Sequence, residues 1–179
     1  QLESLKDQTY TEWRLVIRDD RSSDKTAEIV KKFSDEVEQE VIFKVNEKPS
    51  GSAKNNFALL INDAKESDYV MFCDQDDIWK KDKIEITFNK MKQAEERYGR
   101  DFPLLVHGDV EVIDENGNIN ADSMFEMSHI NADSKLPQIL IQNHVTGCTM
   151  MCNKKLIAGI SEYASSEYII MQDYLAALY

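Results

Sequence analysis

Glycine, cysteine and basic residues are all scarce in this chain, and each shortage excludes something. Six glycines in 179 residues leave no Gly-rich, basic loop of the kind that cradles a triphosphate. The three cysteines, Cys73, Cys148 and Cys152, are odd in number and sit in apolar stretches. They read as reduced core residues of a cytosolic protein rather than disulfide partners. No CxxC pair or nearby His accompanies them, which argues against zinc. Lys and Arg number 21 against 33 Asp and Glu, a net charge of −12. A phosphate backbone needs clustered cations, so nucleic acid is excluded as a partner. A small phosphorylated ligand held through a metal is not. No apolar run approaches the ~18–20 residues of a membrane span. No signal peptide is visible either, though a chain opening on Gln1 does not decide that point.

The length suits one domain with a substantial core. Leu2 and Leu5 already carry helical spacing ahead of the Gln8-Thr9-Tyr10 turn, and a run from Tyr174 to Tyr179 is helix-like. The expectation is a part of a longer protein, with a strand ahead of Gln1. Arg14 to Arg18 reads as a strand ended by Asp19-Asp20. Ser22, Ser23 and Asp24 supply capping chemistry for a helix with Ala27, Val30 and Phe33 on one face. Val41 to Val45 is a second strand, followed by a loop around Asn46, Pro49, Ser50 and Gly51. Phe57, Leu60, Ile61 and Ala64 mark an amphipathic helix. Tyr69 to Cys73 is a third strand, and Lys80 to Tyr98 a long helix with Ile84, Phe88, Met91 and Glu95 along one side. Leu104 to Ile113 is a strand broken at His107-Gly108-Asp109, and Asn116-Gly117 signals a hairpin. Leu136 to Gln142 reads as a helix, Val145 to Cys152 as a strand, and a last helix starts near Ile170. The alternation predicts an α/β fold with a mixed, mostly parallel sheet flanked by helices.

The third strand carries the densest signal. It runs into Asp74-Gln75-Asp76-Asp77, three carboxylates within four positions. Like charges this close repel, and burying one without a partner is costly. Asp-x-Asp at a strand end suits a divalent cation, and an acidic turn or helix cap is the alternative. An EF-hand is excluded because Ile78 and Trp79 fall where ligands and Gly are required. The Asp114 to Asn120 run lacks the required Gly as well. Open α/β sheets bind ligands beyond the carboxyl ends of their strands, and Asp19-Asp20 and Asp74 to Asp77 occupy two such ends.

Taken in order, Gln8-Thr9-Tyr10, Asp19 to Asp24, Asp74 to Trp79, Asn143 to Met150 and Met171-Gln172-Asp173 resemble a family-2 glycosyltransferase of the GT-A fold. The resemblance covers essentially the whole chain. It is strongest to the bacterial, rhamnosyltransferase-like subgroup that builds polysaccharide. Two departures stand out. The family's first strand and its donor loop do not occur, and Gln172 stands where the subgroup often has His.

The resemblance implies a single domain over residues 1–179, with a nucleotide-sugar half (1–113) and an acceptor half (114–179). It implies that Asp20, with Asp19, accepts the N3–H of uracil or thymine, a task that suits a carboxylate. Asp76 would ligate Mn²⁺ or Mg²⁺, with Asp74 and Gln75 beside the donor and Asp77 capping the next helix. Asp173 is the family's general base, or simply an N-cap of the last helix. Lys54 stands where a cation could hold diphosphate, or is a solvated lysine. His144, Gly147 and Gln172 line the acceptor side, and Asp109 approaches the donor sugar. Met124, Phe125 and Met127 pack a loop over the acceptor cleft or join the core.

The implied activity is inverting transfer from a UDP- or dTDP-sugar to a glycan, plausibly lipid-linked, at the cytoplasmic face of a bacterial inner membrane. Two other classes remain: a module that binds nucleotide sugar without turnover, and a metal-dependent nucleotidyltransferase. The missing triphosphate loop counts against the latter.

Overall fold

The structure, a computed structural model, describes residues 1–131 and 135–179. A short helix α1 (Leu2–Lys6) precedes strand β1 (Leu15–Asp19), helix α2 (Thr26–Glu36) and strand β2 (Val41–Val45). Helix α3 (Ala53–Ala64), strand β3 (Tyr69–Met71) and helix α4 (Lys83–Tyr98) complete the first half. Three short strands follow: β4 (Leu105–Val106), β5 (Val112–Ile113) and β6 (Ile119–Ala121). Helices α5 (Met124–Met127) and α6 (Leu136–Ile141), strand β7 (Met151–Asn153) and helices α7 (Lys154–Ser161) and α8 (Gln172–Leu178) end the chain. Among the described residues no helix is long and apolar enough to cross a membrane.

Among the described residues the strands fall in three separate sheets, one parallel pair, one antiparallel three-stranded sheet and one antiparallel hairpin. β1 and β2 pair in parallel, Leu15 with Val41 through Asp19 with Val45. β7 runs antiparallel between β3 and β4. β5 and β6 form the expected hairpin, with Gly117 at φ 82°, a value that glycine adopts without the steric cost of a Cβ. Asp114 accepts the N–H groups of Asn116 and Asn118, so its carboxylate is occupied by the turn.

Helices cover both faces. On one, Ala58 and Ile61 of α3 meet Leu156, Ile157 and Ile160 of α7 and Leu175 and Ala176 of α8. On the other, Leu5, Phe33, Trp79 and Ile84 pack with Leu15 and Val41, and Met91 of α4 packs on Leu104 and Met151. Strand alternation divides β7 between the two faces: Met151 points to α4 and Cys152 to α7. Buried Gln8 ties α1 to α4. Its amide donates to the carbonyls of Ser4 and Lys80, and its oxygen accepts from the Ile84 N–H in the first turn of α4.

Several expectations need correction. The expected 145–152 strand is mostly not extended, because Gly147–Thr149 form a 3₁₀ turn and only Met151–Asn153 pair. The long helix starts at Lys83 with Asp82 as N-cap, so Asp77 caps nothing. The last helix starts at Gln172, with Met171 rather than Asp173 at its N-cap position.

Candidate functional site

β3 and β7 build the centre of the site. Their register pairs Met71 with Met151. The ladder ends there, and the 3₁₀ turn Gly147–Thr149 ahead of β7 brings Cys148 beside Asp74, which follows β3. Asp74, Asp77 and Cys148 each offer a ligand atom, all within 4.8 Å of one another. Asp76, expected as the ligand, lies exposed beside this group, as does Gln75.

α8 brings in the general-base candidate. Asp173 is half-buried in its first turn and accepts the Tyr174 N–H at 2.6 Å. Gly147 makes room for it: a Cβ there would meet Gln172 Nε2 at 3.2 Å and Asp173 Oδ2 at 3.7 Å. A side chain at position 147 would therefore press on the Gln172 amide and rest in ordinary contact with Asp173.

The electrostatics tie these residues together. Burial raises the Asp74 carboxyl above its ordinary range, helped by Asp77, Asp76 and Asp173. Burial likewise raises Asp173, partly offset by the N–H groups of Tyr174 and Gly147. Asp77 Oδ2 is buried without a hydrogen-bond partner. An orphaned carboxylate oxygen and two crowded carboxyls, with the Lys83 ammonium the charge of opposite sign that faces Asp77 and Cys148, fit a divalent ion. Burial, then the Asp77 carboxylate, pushes the Cys148 thiol up to about 12, so it stays protonated at neutral pH. The charged donors are then carboxylates, which suit a hard ion such as Mg²⁺ or Mn²⁺ over a thiophilic one.

The other expected residues fall into separate places. Asp20 lies at the end of β1, held by Asn46 Nδ2 (2.7 Å), the Ser50 N–H (2.6 Å) and Ser50 Oγ (2.8 Å). These bonds, Asn46 first, lower its pKa. They fix the carboxylate in place, and the Gly51 N–H adds to them. Asp19 is buried and accepts from the Ser22 N–H and hydroxyl. Lys54 reaches the Ser166 carbonyl at 3.4 Å, bridging α3 to the loop before α8. Asp109 accepts from Ser123 Oγ and the Val110 and Phe125 N–H groups, which fastens the start of α5. His144 and His107 each bury an unpartnered Nδ1, and burial lowers His107, with His144 close enough to add to that. Phe125 stacks near His107 at 6.0 Å.

Three participants escape a reading by motif. Asp77 reads as a cap, Cys148 as core, and Asn46 as an ordinary loop residue. The first two are brought together by contacts between loops far apart in sequence.

The model for the family "Glycosyl transferase family 2" matches residues 2–101. The dTDP-rhamnosyl transferase RfbG of Shigella flexneri is 37% identical over 86 residues, 47% of this chain and 30% of that protein. WfgD of Escherichia coli is a UDP-Glc:alpha-D-GlcNAc-diphosphoundecaprenol beta-1,3-glucosyltransferase. It is 31% identical over 116 residues, 64% of this chain and 41% of that protein. The chain thus spans well under half the length of these relatives. S. aureus TarS 1-349, solved in complex with UDP, superposes with a TM-score of 0.59 at 22% identity. That match covers 93% of this chain and 47% of that one, and it places the fold with GT-A glycosyltransferases.

Proposed function

Since this chain belongs to glycosyl transferase family 2, we propose that it forms the core of a bacterial enzyme of surface-polysaccharide synthesis. Its donor is a UDP- or dTDP-sugar, and its acceptor is a glycan hydroxyl, on a lipid-linked glycan at the cytoplasmic face of the inner membrane. RfbG and WfgD carry names of both nucleotide types, which supports the donor class and leaves the base open. The observation that carries the reading is the approach of Asp173 to the Asp74 carboxylate group, a base candidate beside a candidate cation site.

In this reading Asp20, oriented by Asn46 and Ser50, accepts the imide N–H of the pyrimidine. Asp74 and Asp77, with Asp76 alongside, would hold a dication, which when bound would supply positive charge for the departing nucleoside diphosphate. Asp173 takes the proton of the acceptor hydroxyl. The acceptor oxygen bonds to the anomeric carbon as the carbon–phosphate oxygen bond breaks, so one displacement inverts the anomeric configuration. A second reading is binding of the nucleotide sugar without turnover.

Calorimetric titration with UDP and with dTDP, each with and without Mn²⁺, tests the donor site. Binding is expected only with the ion, and to weaken at least about tenfold in Asp74→Asn and Asp77→Asn. Equal binding without Mn²⁺, or in both variants, would sink the assignment. Release of free nucleoside diphosphate in the presence of acceptor separates the enzyme from the binding module.

A further inference from the structure

β1 brings a cation into the fold. Strands covered on both faces are apolar at nearly every position, and Leu15, Val16 and Ile17 follow that rule. Arg18 does not, and its side chain is only 15% exposed. Its guanidinium meets Asp63 of α3, with Nη2 at 2.7 Å and Nε at 3.2 Å from one carboxylate oxygen. Lys44 of β2 takes the other oxygen at 2.7 Å, so Asp63 has a cation even without Arg18. Replacing a buried ion pair by apolar side chains often costs a fold nothing, and the pair by itself explains little. The third bond is the informative one.

Arg18 Nη1 donates to Asn46 Oδ1 at 2.8 Å. Asn46 Nδ2 in turn donates to Asp20 Oδ1 at 2.7 Å and to Asn56 Oδ1 at 2.9 Å. Asn56 Nδ2 returns to the Arg18 carbonyl at 2.9 Å, which closes the circuit. A carboxamide has one accepting end and one donating end, and a guanidinium only donates. Arg18 at Oδ1 therefore fixes which end of Asn46 faces Asp20. Turned over, the amide would set its oxygen against the Asp20 carboxylate and its nitrogen against the guanidinium. Asn46 is 5% exposed, which leaves little room for water to replace Arg18, and a buried oxygen without a partner is costly. Hydrogen bonds in series also polarise one another, so the charge on Arg18 strengthens the Asn46 N–H as a donor to Asp20.

We propose that Arg18 is a positioning residue for the nucleotide base: anchored on Asp63, it sets the Asn46 amide, which sets the Asp20 carboxylate that accepts the pyrimidine N3–H. The proposal rests on the reading of Asp20 given above. Arg18 acts through Asp20 alone, so its effect is confined to nucleotides that present that proton. A guanidinium is required rather than any cation. Its rigid fork serves Asp63 and Asn46 at once, which the point charge of a lysine does not.

The test is calorimetric titration, with Mn²⁺ present, of whichever of UDP and dTDP the parent binds more tightly, and of the same nucleotide methylated at N3. The parent is expected to bind the methylated form at least about tenfold more weakly. Arg18→Met is expected to lose about tenfold in affinity for the unmethylated nucleotide, and no further affinity for the methylated one. Arg18→Lys is expected to shift in the same direction, and it decides alone if the Met variant does not fold. Equal losses for both nucleotides would make Arg18 a part of the fold and overturn the proposal. A variant that keeps the parent's full preference would overturn it too, with the role of Asp20 intact. A parent that does not distinguish the two nucleotides would remove the reading of Asp20, and this proposal with it.

Discussion

Asp173 shows how one residue's surroundings set its chemistry. It sits in the first turn of α8 against Gly147, and burial raises its carboxyl. A raised pKa makes a stronger base, provided the group is still ionised at the working pH. The acid limb of kcat/KM is therefore expected above the ordinary carboxylate range, with activity rising as pH climbs through it. Asp173→Asn is expected to cost about 10²–10⁴-fold in turnover and to leave UDP or dTDP binding intact. Stability runs the opposite way. A carboxyl whose folded pKa lies above its unfolded value contributes stability below the unfolded value, and that contribution is lost as pH rises through the folded one. Once ionised, Asp173 therefore burdens the fold, and the Asn variant is expected to melt no lower than the parent at a pH above the folded pKa. A lower melting temperature together with lost donor binding would mark Asp173 as a structural part.

At the scale of elements, Asn153 is where strand and helix meet. It ends β7 and caps α7. Its Oδ1 accepts from the Leu104 and Leu156 N–H groups, both at 3.0 Å, and its Nδ2 donates to the Phe102 and Arg100 carbonyls. At 1% exposure no water replaces these bonds. Asn153→Ala is expected to cost roughly 3 kcal/mol, as several buried backbone groups lose their partner. That is a fall of roughly 6–12 °C in melting temperature for a chain of this size. Asn153→Asp keeps the acceptor and should fall between. A loss below about 1 kcal/mol in the Ala variant would show that the carboxamide is replaceable.

The same region shows which parts of the fold could be read from the chain. α2, α3 and α4 are legible because each shows one apolar stripe at helical spacing between polar residues, as Ile84, Phe88 and Met91 do. α7 is not legible. Its Leu156, Ile157 and Ile160 follow directly on the apolar run Val145 to Cys152, so the two periods blur and the run reads as one long strand. β1 and β3 are legible from apolar runs that end in acids, and β2 from a run that ends in the polar loop at Asn46, Pro49 and Gly51. The site divides in the same way. Asp74 and Asp173 stand out locally, but the partnership of Asp77 with Cys148 and of Asn46 with Asp20 is made by pairing between distant strands and loops.

For the molecule as a whole, the net charge of −12 sets the terms on which a phosphorylated ligand arrives. A nucleoside diphosphate approaches a surface of its own sign and a site where Asp74, Asp76, Asp77 and Asp173 stand together. Without a dication, raising the ionic strength screens this repulsion, whose range is about 10 Å at 0.1 M salt. Apparent affinity for UDP without metal is therefore expected to rise with salt, the reverse of a basic phosphate-binding site. With Mn²⁺ bound, part of the local acidity is neutralised and the slope should flatten or change sign. Titration at low and high ionic strength, with and without the ion, gives both slopes. Metal-free affinity that falls steeply with salt would mean that lysines such as Lys54 and Lys83, rather than a dication, meet the phosphates.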